Sequence, residues 1–315
     1  MNLAYPQILI LQDLGVKSEI INQKLADLNI NHQLVHTLND SILNHKVVEI
    51  IITIKEKVDK ALISKFPKLK LVTVAFTGYD VVDVNYCYSN NIAVCNVPSY
   101  ATNAVAELTL GFAISLLRDI PQTSNLLQKG GWNFKPGMDL YGKNVGIIGT
   151  GAIGTKVAQL FKAFGCEIFG WSRSENQEFI KLGGIYLNNL DDLCALADII
   201  TVHTPLNNQT NNLINDALFK LMKPSAFLIN TSRGPIVNED ALIKAIENDT
   251  IAGAALDVFE IEPIPHNSKI LNTKNVLLTP HIAYKTDEAM EKRAIITIEN
   301  IANFLRGTPK NLVTK

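Results

Sequence analysis

Short apolar runs alternate with longer amphipathic segments along most of the 315-residue chain. The short runs are typical of buried strands, whereas the longer segments repeat their apolar residues at helical spacing. This alternation predicts parallel sheets that are covered by helices on both faces. In the amino-terminal part the pattern predicts helices at 18–28 and 59–66 and strands at 8–11, 32–38, 48–54, 69–76 and 92–97.

A second series of strands and helices begins near residue 143. Before it lies a predicted helix at 101–118, which is apolar nearly all round. We therefore expect this helix to be buried, between domains or against a second subunit. A connection that contains Gly, Trp and Pro follows at 130–141, and a last amphipathic helix is predicted at 286–305. The six strands of the second series are predicted at 145–148, 167–171, 199–203, 226–230, 254–258 and 276–278.

These patterns predict an α/β protein with two Rossmann-like, doubly wound parallel-sheet domains and a cleft between them. Residues 99–286 are assigned to a dinucleotide-binding domain, because six strands with intervening helices match that fold. Residues 1–98 are assigned to a flavodoxin-like, substrate-binding domain. Since the second series starts so late in the chain, we expect residues 287–315 to complete the first domain.

The composition is that of an ordinary globular protein, with 47% hydrophobic residues, 19% charged residues and a net charge of −1. Near-neutral charge gives no support to the binding of nucleic acid or of a membrane surface. No apolar run reaches the length of a membrane span, and the amino terminus lacks the basic segment of a signal peptide. We therefore expect a cytoplasmic protein.

The cysteines are widely spaced and form no C-x-x-C pair. This spacing disfavours both a zinc site and a disulfide framework, so we expect no metal. It is typical of the reduced cysteines of a cytoplasmic protein. The four residues are Cys87, Cys95, Cys166 and Cys194.

The segment that begins at Lys143 carries the most specific motif of the chain, an apolar strand followed at once by G-x-G-x-x-G. Gly149 allows a tight turn, Gly151 lets the backbone approach a pyrophosphate, and Gly154 lets the next helix pack closely on the strand. The N-terminus of that helix, predicted at 153–164, favours negative charge. The motif therefore predicts a dinucleotide site.

The end of the next strand bears on which dinucleotide binds. An NAD site usually has Asp or Glu there, about 20 residues after the glycines, to bind the ribose 2′-hydroxyl. This chain has Ser172 followed by Arg173. The hydroxyl can donate to a 2′-phosphate, and the guanidinium can pair with it through charge-assisted hydrogen bonds. We predict a preference for NADP(H), with NAD(H) as the alternative cofactor and an ordinary surface turn as the alternative interpretation.

Charged residues follow three successive strands of the second series. Arg233, an acidic segment at 260–262 and His281 come after the fourth, fifth and sixth strands. Because ligands bind beyond the carboxyl ends of such strands, we expect these groups at the same edge as the glycine motif. Arg can clamp a carboxylate through two parallel N–H bonds, and a carboxylate beside His favours the charged imidazolium. Together with a nicotinamide, this set is suited to the reduction of a 2-oxo acid.

Six segments resemble the D-2-hydroxyacid dehydrogenase family, and the resemblance covers most of the chain, with the first 65 or so residues matching least. It implies that Arg233 binds the substrate carboxylate and polarises the 2-oxo group, and that His281 is the general acid. It also implies that Glu262, which precedes proline as in the family, orients His281 and keeps it protonated, in preference to Glu260. The segments are FTGYDVVDV, NVPSYATNAVAEL, GIIGTGAIG, INTSRGPIVNEDAL, ALDVFEIEP and LLTPHIAYKT.

The same resemblance implies contacts with substrate and cofactor. The backbone at Thr77 and Gly78 would contact the substrate, and Asp257 would reach the carboxamide of the nicotinamide. Ser172 and Arg173 depart from the commoner acidic residue, and this departure is typical of the glyoxylate/hydroxypyruvate reductase branch. The product would be a D-2-hydroxy acid, and the protein a homodimer. The other implied cofactor contacts are Ala152, Ile153, Thr102, Pro205 and Thr231.

Other activities stay open as alternatives, namely those of phosphoglycerate dehydrogenase and D-lactate dehydrogenase. Tyr284 stands where Gly or Trp is frequent, which leaves the identity of the 2-oxo acid open. Resemblance to formate dehydrogenase would require Gln in place of Glu262. A dinucleotide-sensing corepressor of the C-terminal-binding-protein type would keep the Arg, Glu and His, but the chain has neither a long disordered tail nor a basic patch.

Overall fold

The computed structural model describes residues 6–313, which divide into two compact units. The first unit contains the described residues up to Ala101 together with those from Lys285 onward, and the second unit is Thr102–Tyr284. Each unit is built on one parallel sheet. The predicted fold class of two doubly wound α/β sheets is therefore confirmed.

The sheet of the first unit has five strands in the order β2-β1-β3-β4-β5, which is the flavodoxin-like order. Helix α11 (Asp287–Leu305) returns to this unit and packs against α1 and β4. The other helices are α1 (Ser18–Asp27), α2 (Lys60–Ile63) and α3 (Val84–Ser89). The strands are β1 (Gln7–Ile10), β2 (Gln33–His36), β3 (Val48–Thr53), β4 (Leu71–Val74) and β5 (Ala93–Cys95).

The sheet of the second unit has seven parallel strands in the order β12-β11-β10-β9-β6-β7-β8. The strand order reverses at β6, which lies between β7 and β9, and ligands bind beside such a reversal. The strands are β6 (Asn144–Ile148), β7 (Glu167–Trp171), β8 (Ile185–Tyr186), β9 (Ile199–Val202), β10 (Phe227–Asn230), β11 (Gly253–Leu256) and β12 (Val276–Leu278). The helices are α4 (Thr102–Arg118), α5 (Ile120–Gln128), α6 (Ala152–Ala163), α7 (Gln177–Lys181), α8 (Leu190–Leu196), α9 (Asp216–Phe219) and α10 (Glu239–Glu247).

Two elements of the second unit were not predicted. Strand β8 has only two residues, so it is too short to show an apolar alternation. Helix α5 has Pro121 in its first turn and no buried residue. A third difference is that β11 ends at Leu256, so Asp257 follows the strand and does not belong to it.

Helix α4 is buried on one face only within the single chain. Phe112 and Leu117 belong to the core of the second unit, where α4 packs against α6 and β10. Glu107 and Gly111 are exposed, and Ile114 is half-buried. The expectation of a helix buried all round is therefore only partly met by this unit.

The cysteine side chains are buried, and none forms a disulfide within the described residues. Burial raises the pKa of Cys87, Cys95 and Cys166 to about 11 and that of Cys194 to about 12. The thiols therefore stay protonated and unreactive at neutral pH. Among residues 6–313, no helix is both long enough and apolar enough to cross a membrane.

Candidate active site

The glycine motif forms the turn between β6 and α6. Gly149 has a φ of +94°, and its N–H donates to the carbonyl of Trp171 on the neighbouring strand (2.8 Å). A Cβ at this position would lie 2.8 Å from the backbone of His203 and Thr204. Glycine is therefore required here both by the left-handed backbone and by the close approach of β9.

The other two glycines of the motif differ in the space that surrounds them. A Cβ at Gly154 would overlap the carbonyl oxygen of Gly149, so only glycine lets α6 pack on the turn. A Cβ at Gly151 would meet nothing within 4 Å. Gly151 is exposed and is the N-cap of α6 without a side chain to cap the helix. The open space and the uncapped N–H groups fit a pyrophosphate at this helix N-terminus.

Four other predicted cofactor residues line the same edge of the sheet. Ala152 and Ile153 form the first turn of α6 and are exposed and half-buried, respectively. Ser172 directly follows β7 and is half-buried, whereas Arg173 is exposed. The edge thus presents a hydroxyl and a guanidinium where many dinucleotide sites present a carboxylate.

The turn after β10 carries Arg233 and is shaped by Asn230, whose role the sequence did not predict. Asn230 is 1% exposed. Its Oδ1 accepts from the backbone N–H (3.0 Å) and the hydroxyl (2.8 Å) of Ser232, and its Nδ2 donates to the carbonyl of Arg233 (3.0 Å). The guanidinium of Arg233 donates to the carbonyl of Ser232 (2.8 Å). These bonds fix the backbone from which the Arg233 side chain extends.

The turns after β10 and β11 pack directly against each other. A Cβ at Gly234 would overlap the backbone of Phe259, so glycine is required at this contact. The turn after β11 continues to Glu262, whose Oε1 accepts from the N–H of Phe259 (3.1 Å). This contact places Glu262 in the loop next to Arg233.

The structure brings His281 and Glu262 together. The Nδ1 atom of His281 lies 2.6 Å from Oε2 of Glu262, and the ring is T-shaped to that of Tyr284. The two side chains are 14% and 30% exposed, so the imidazole is largely shielded while Glu262 keeps some contact with solvent. His281 has a φ of +53°, a left-handed backbone that side chains other than glycine adopt rarely. A carboxylate on Nδ1 leaves Nε2 as the atom that can exchange a proton with a ligand.

Asp257 holds the loop that carries His281. It is fully buried, and its Oδ1 accepts from the hydroxyl of Thr279 (2.5 Å) and the N–H of Ile282 (2.8 Å). Its Oδ2 accepts from the N–H of Ala283 (2.8 Å). Burial raises the pKa of the Asp257 carboxyl, and these three hydrogen bonds act in the opposite direction. Together the two oxygens therefore bind the loop before and after His281, a task that the sequence did not reveal.

Three more residues predicted to contact the cofactor belong to the second unit. Thr231 directly follows β10, and its Oγ1 lies 3.2 Å from that of Thr109 on α4. Thr102 begins α4, and its Oγ1 is buried without a hydrogen-bond partner among residues 6–313. Pro205 follows β9 and is exposed. A buried hydroxyl without a partner is suited to a ligand that supplies one.

Another buried polar atom without a hydrogen-bond partner belongs to His203, which directly follows β9. Its N–H donates to the carbonyl of Ile148 (2.7 Å), whereas its Nε2 is buried and has no partner within the described part of the chain. Burial lowers the pKa of His203 to about 3. The side chain is therefore neutral at physiological pH.

The predicted substrate contacts of the first unit lie after β4. Thr77 is exposed, its Oγ1 donates to the carbonyl of Val97 (3.2 Å), and its own carbonyl accepts from Nδ2 of Asn96 (2.7 Å). Gly78 follows and is half-buried. Within this unit the turn is thus anchored to the segment after β5.

This fold and this edge define a dinucleotide-binding α/β protein with an arginine and a Glu–His pair at the sheet edge that also carries the glycine turn. Residues 110–283 match the NAD-binding domain of the D-isomer specific 2-hydroxyacid dehydrogenases. A glyoxylate reductase from Aeropyrum pernix is 38% identical over an alignment of 270 residues that covers 82% of this chain and 81% of that protein. The chain therefore belongs to the D-isomer specific 2-hydroxyacid dehydrogenase family.

One further relative and one solved structure are also similar to this chain. The D-3-phosphoglycerate dehydrogenase of Methanocaldococcus jannaschii is 39% identical over 254 residues, which are 80% of this chain but 48% of that protein. The structure of D-lactate dehydrogenase from Aquifex aeolicus, complexed with NAD and lactic acid, is 29% identical with a TM-score of 0.86. It covers 98% of this chain and 99% of its own.

Proposed function

We propose that this protein reduces a short 2-oxo acid, glyoxylate or hydroxypyruvate, to the D-2-hydroxy acid with a reduced nicotinamide dinucleotide. The observation that carries the proposal is the 2.6 Å contact between His281 and Glu262 at the sheet edge that also carries Arg233 and the glycine turn. Membership of the family and the glyoxylate reductase relative support the reaction type and the substrate class.

Each charged side chain has a task in this reaction. When bound, the reduced nicotinamide supplies the hydride that C2 of the oxo acid receives. Arg233 binds the substrate carboxylate and stabilises the negative charge that develops on the carbonyl oxygen. His281 protonates this oxygen from Nε2. Glu262 holds Nδ1 of the imidazole, so that the proton-carrying ring keeps its orientation.

The protein would prefer NADPH. The pyrophosphate would lie over Gly151 and the first turn of α6, with Ala152 and Ile153 beside it and Gly149 and Gly154 shaping the turn. Ser172 and Arg173 would bind the 2′-phosphate, since neither repels it and the guanidinium attracts it. The remaining proposed contacts are Thr102, Pro205, Thr231 and Asp257 with the cofactor and Thr77 and Gly78 with the substrate.

We further propose a cytoplasmic homodimer. Free, buried cysteines are typical of a reducing compartment. A second copy would cover the half-buried face of α4 and the exposed apolar side chains that follow it, which include Leu127, Trp132 and Tyr141. Light scattering on a sizing column should give twice the chain mass of 34.7 kDa, and the mass of one chain would contradict the dimer.

A matrix of cofactors and substrates tests the proposal. The rates of NADH and NADPH oxidation are measured with glyoxylate, hydroxypyruvate, pyruvate and 3-phosphohydroxypyruvate. The highest kcat/KM is expected for NADPH with glyoxylate or hydroxypyruvate. A highest value for pyruvate or for the phosphorylated acid would replace the proposed substrate by those of D-lactate or phosphoglycerate dehydrogenase. Equal values with both cofactors would contradict the NADPH preference, and tight NADPH binding without turnover would contradict the enzyme.

A further inference from the structure

A hydrogen-bond network joins the glycine turn to the segment that follows β7. The hydroxyl of Tyr186, on the two-residue strand β8, lies 2.5 Å from Oγ1 of Thr150 and accepts from the N–H of Asn176 (2.8 Å). Nδ2 of Asn176 donates to the carbonyl of Thr150 (2.9 Å) and to Oγ1 of Thr155 (3.1 Å). The network therefore has members from the turn, from α6, from the start of α7 and from β8.

The polar groups of this network are mutually satisfied. Oδ1 of Asn176 accepts from the N–H of Glu178 and so caps α7 (2.9 Å), while both protons of the amide are donated to the turn and to α6. The hydroxyl of Thr155 donates to the carbonyl of Thr150 (2.9 Å). The ring of Tyr186 packs against the buried ring of Phe179, with centroids 5.0 Å apart. Such a satisfied network holds one geometry, because any shift leaves polar groups without partners.

The network fixes one end of the segment that carries Ser172 and Arg173. At the other end, Trp171 is held by β6, since it pairs with Ile148 and its carbonyl accepts from Gly149. Residues 172–175, which we name the ribose segment, thus span two anchors that are both attached to the glycine turn. The distance from the ribose segment to the pyrophosphate position is therefore set by the protein before any ligand binds.

We propose that Tyr186 and Asn176 are positioning residues that determine the discrimination between NADPH and NADH, an inference that rests on the proposed binding of the 2′-phosphate by the ribose segment. Charge-assisted hydrogen bonds to a phosphate depend on the placement of their donors. A ribose segment that is ordered in advance binds the phosphate without a further loss of conformational entropy. NADH has no 2′-phosphate, so its affinity depends much less on this placement.

The substitution Tyr186→Phe tests the inference, because it keeps the ring against Phe179 and removes only the hydroxyl. Dissociation constants are measured by fluorescence titration for NADPH and NADH and by calorimetry for 2′,5′-ADP and 5′-AMP, which lack the nicotinamide and differ only in the 2′-phosphate. We expect roughly 5- to 10-fold weaker binding of NADPH and of 2′,5′-ADP, and less than a twofold change for NADH and 5′-AMP. Asn176→Asp, which keeps the cap of α7 but loses two donors, should change the constants in the same direction.

The outcome that overturns the inference is a Tyr186→Phe protein that binds all four ligands equally less well, or binds all four as before. The variant Arg173→Ala tests the underlying proposal separately, since it should weaken NADPH binding without disturbing the network. In the double variant, the effect of Tyr186→Phe on NADPH should largely disappear, because the two substitutions act on one interaction. If Arg173→Ala leaves the ratio of NADPH affinity to NADH affinity unchanged while Tyr186→Phe lowers this ratio, Arg173 does not bind the 2′-phosphate. The positioning role of Tyr186 then stands.

Discussion

The two ends of the seven-stranded sheet build the site by different means. Beside β6 and β7, the glycine turn is held by backbone geometry and by neutral hydrogen bonds, such as that between Thr150 and Tyr186. Beside β11 and β12, the loops are held by two carboxylates, Asp257 and Glu262. Under the proposed function, the first region would bind a dinucleotide, whereas the second would hold the histidine that gives a proton to the substrate.

This difference predicts which property changes when a residue of each region is substituted. A substitution at the carboxylate end changes charge or proton position, so it should act on turnover. A substitution at the glycine end changes the space that is available to the cofactor, so it should change the cofactor affinity. Measuring kcat, the cofactor Kd and the free energy of unfolding for each variant separates these effects.

The largest effect is expected for His281→Ala, at the carboxylate end. Loss of the proposed general acid should lower kcat by at least ~100-fold, because the carbonyl oxygen must then take its proton from water. The Kd of NADPH should change less than twofold. His266→Ala, which removes an exposed histidine from the same unit, is the matched control and should keep wild-type kcat. A near-normal kcat for His281→Ala would show that another group protonates the substrate.

Asp257→Asn should have the next largest effect. The amide keeps the shape of the side chain, but its NH2 group must face one of the donors that now bind the carboxylate, at Thr279, Ile282 or Ala283. One buried hydrogen bond is lost, so urea unfolding should show a loss of about 2 kcal/mol, and kcat should fall because the loop that carries His281 is held less firmly. The control is Asp240→Asn, an exposed carboxylate on α10. Unchanged stability and kcat in Asp257→Asn would contradict the role of Asp257 in holding the His281 loop.

The sequence predicted the glycine end in detail because its requirements are local. The φ of Gly149 and the contact between Gly154 and Gly149 follow from a turn of six residues. The tasks of Asp257 and Tyr186 could not be predicted in this way. The task of Asp257 depends on the packing of residues 279–283 against the end of β11, and that of Tyr186 depends on a strand of two residues. Both are decided by packing between segments that are distant in sequence.

The substitution Gly151→Ala should weaken cofactor binding at the glycine end without lowering stability. A Cβ there meets nothing within 4 Å and the φ of −67° suits alanine, so the free protein should keep its melting temperature. The methyl group would occupy the space proposed for the pyrophosphate, and the Kd of NADPH should rise about tenfold, or about 1.4 kcal/mol. Gly154→Ala is the comparison, because its Cβ overlaps Gly149 and should lower both melting temperature and affinity. Wild-type affinity in Gly151→Ala would contradict the proposed path of the pyrophosphate.

The smallest effect concerns His203, which lies between the two ends of the sheet. Its pKa is lowered by burial to about 3, below the ordinary value of 6.5, so the folded state favours the neutral ring. The stabilisation from this group is complete above about pH 6.5 and is lost as the pH falls towards 3. Between pH 7.5 and pH 5.5, wild-type protein should therefore lose about 1 kcal/mol more unfolding free energy than His203→Gln. His266→Gln, at an exposed position, should behave as the wild type does. Identical pH dependence of His203→Gln and wild type would show that His203 is accessible to protons in the folded protein.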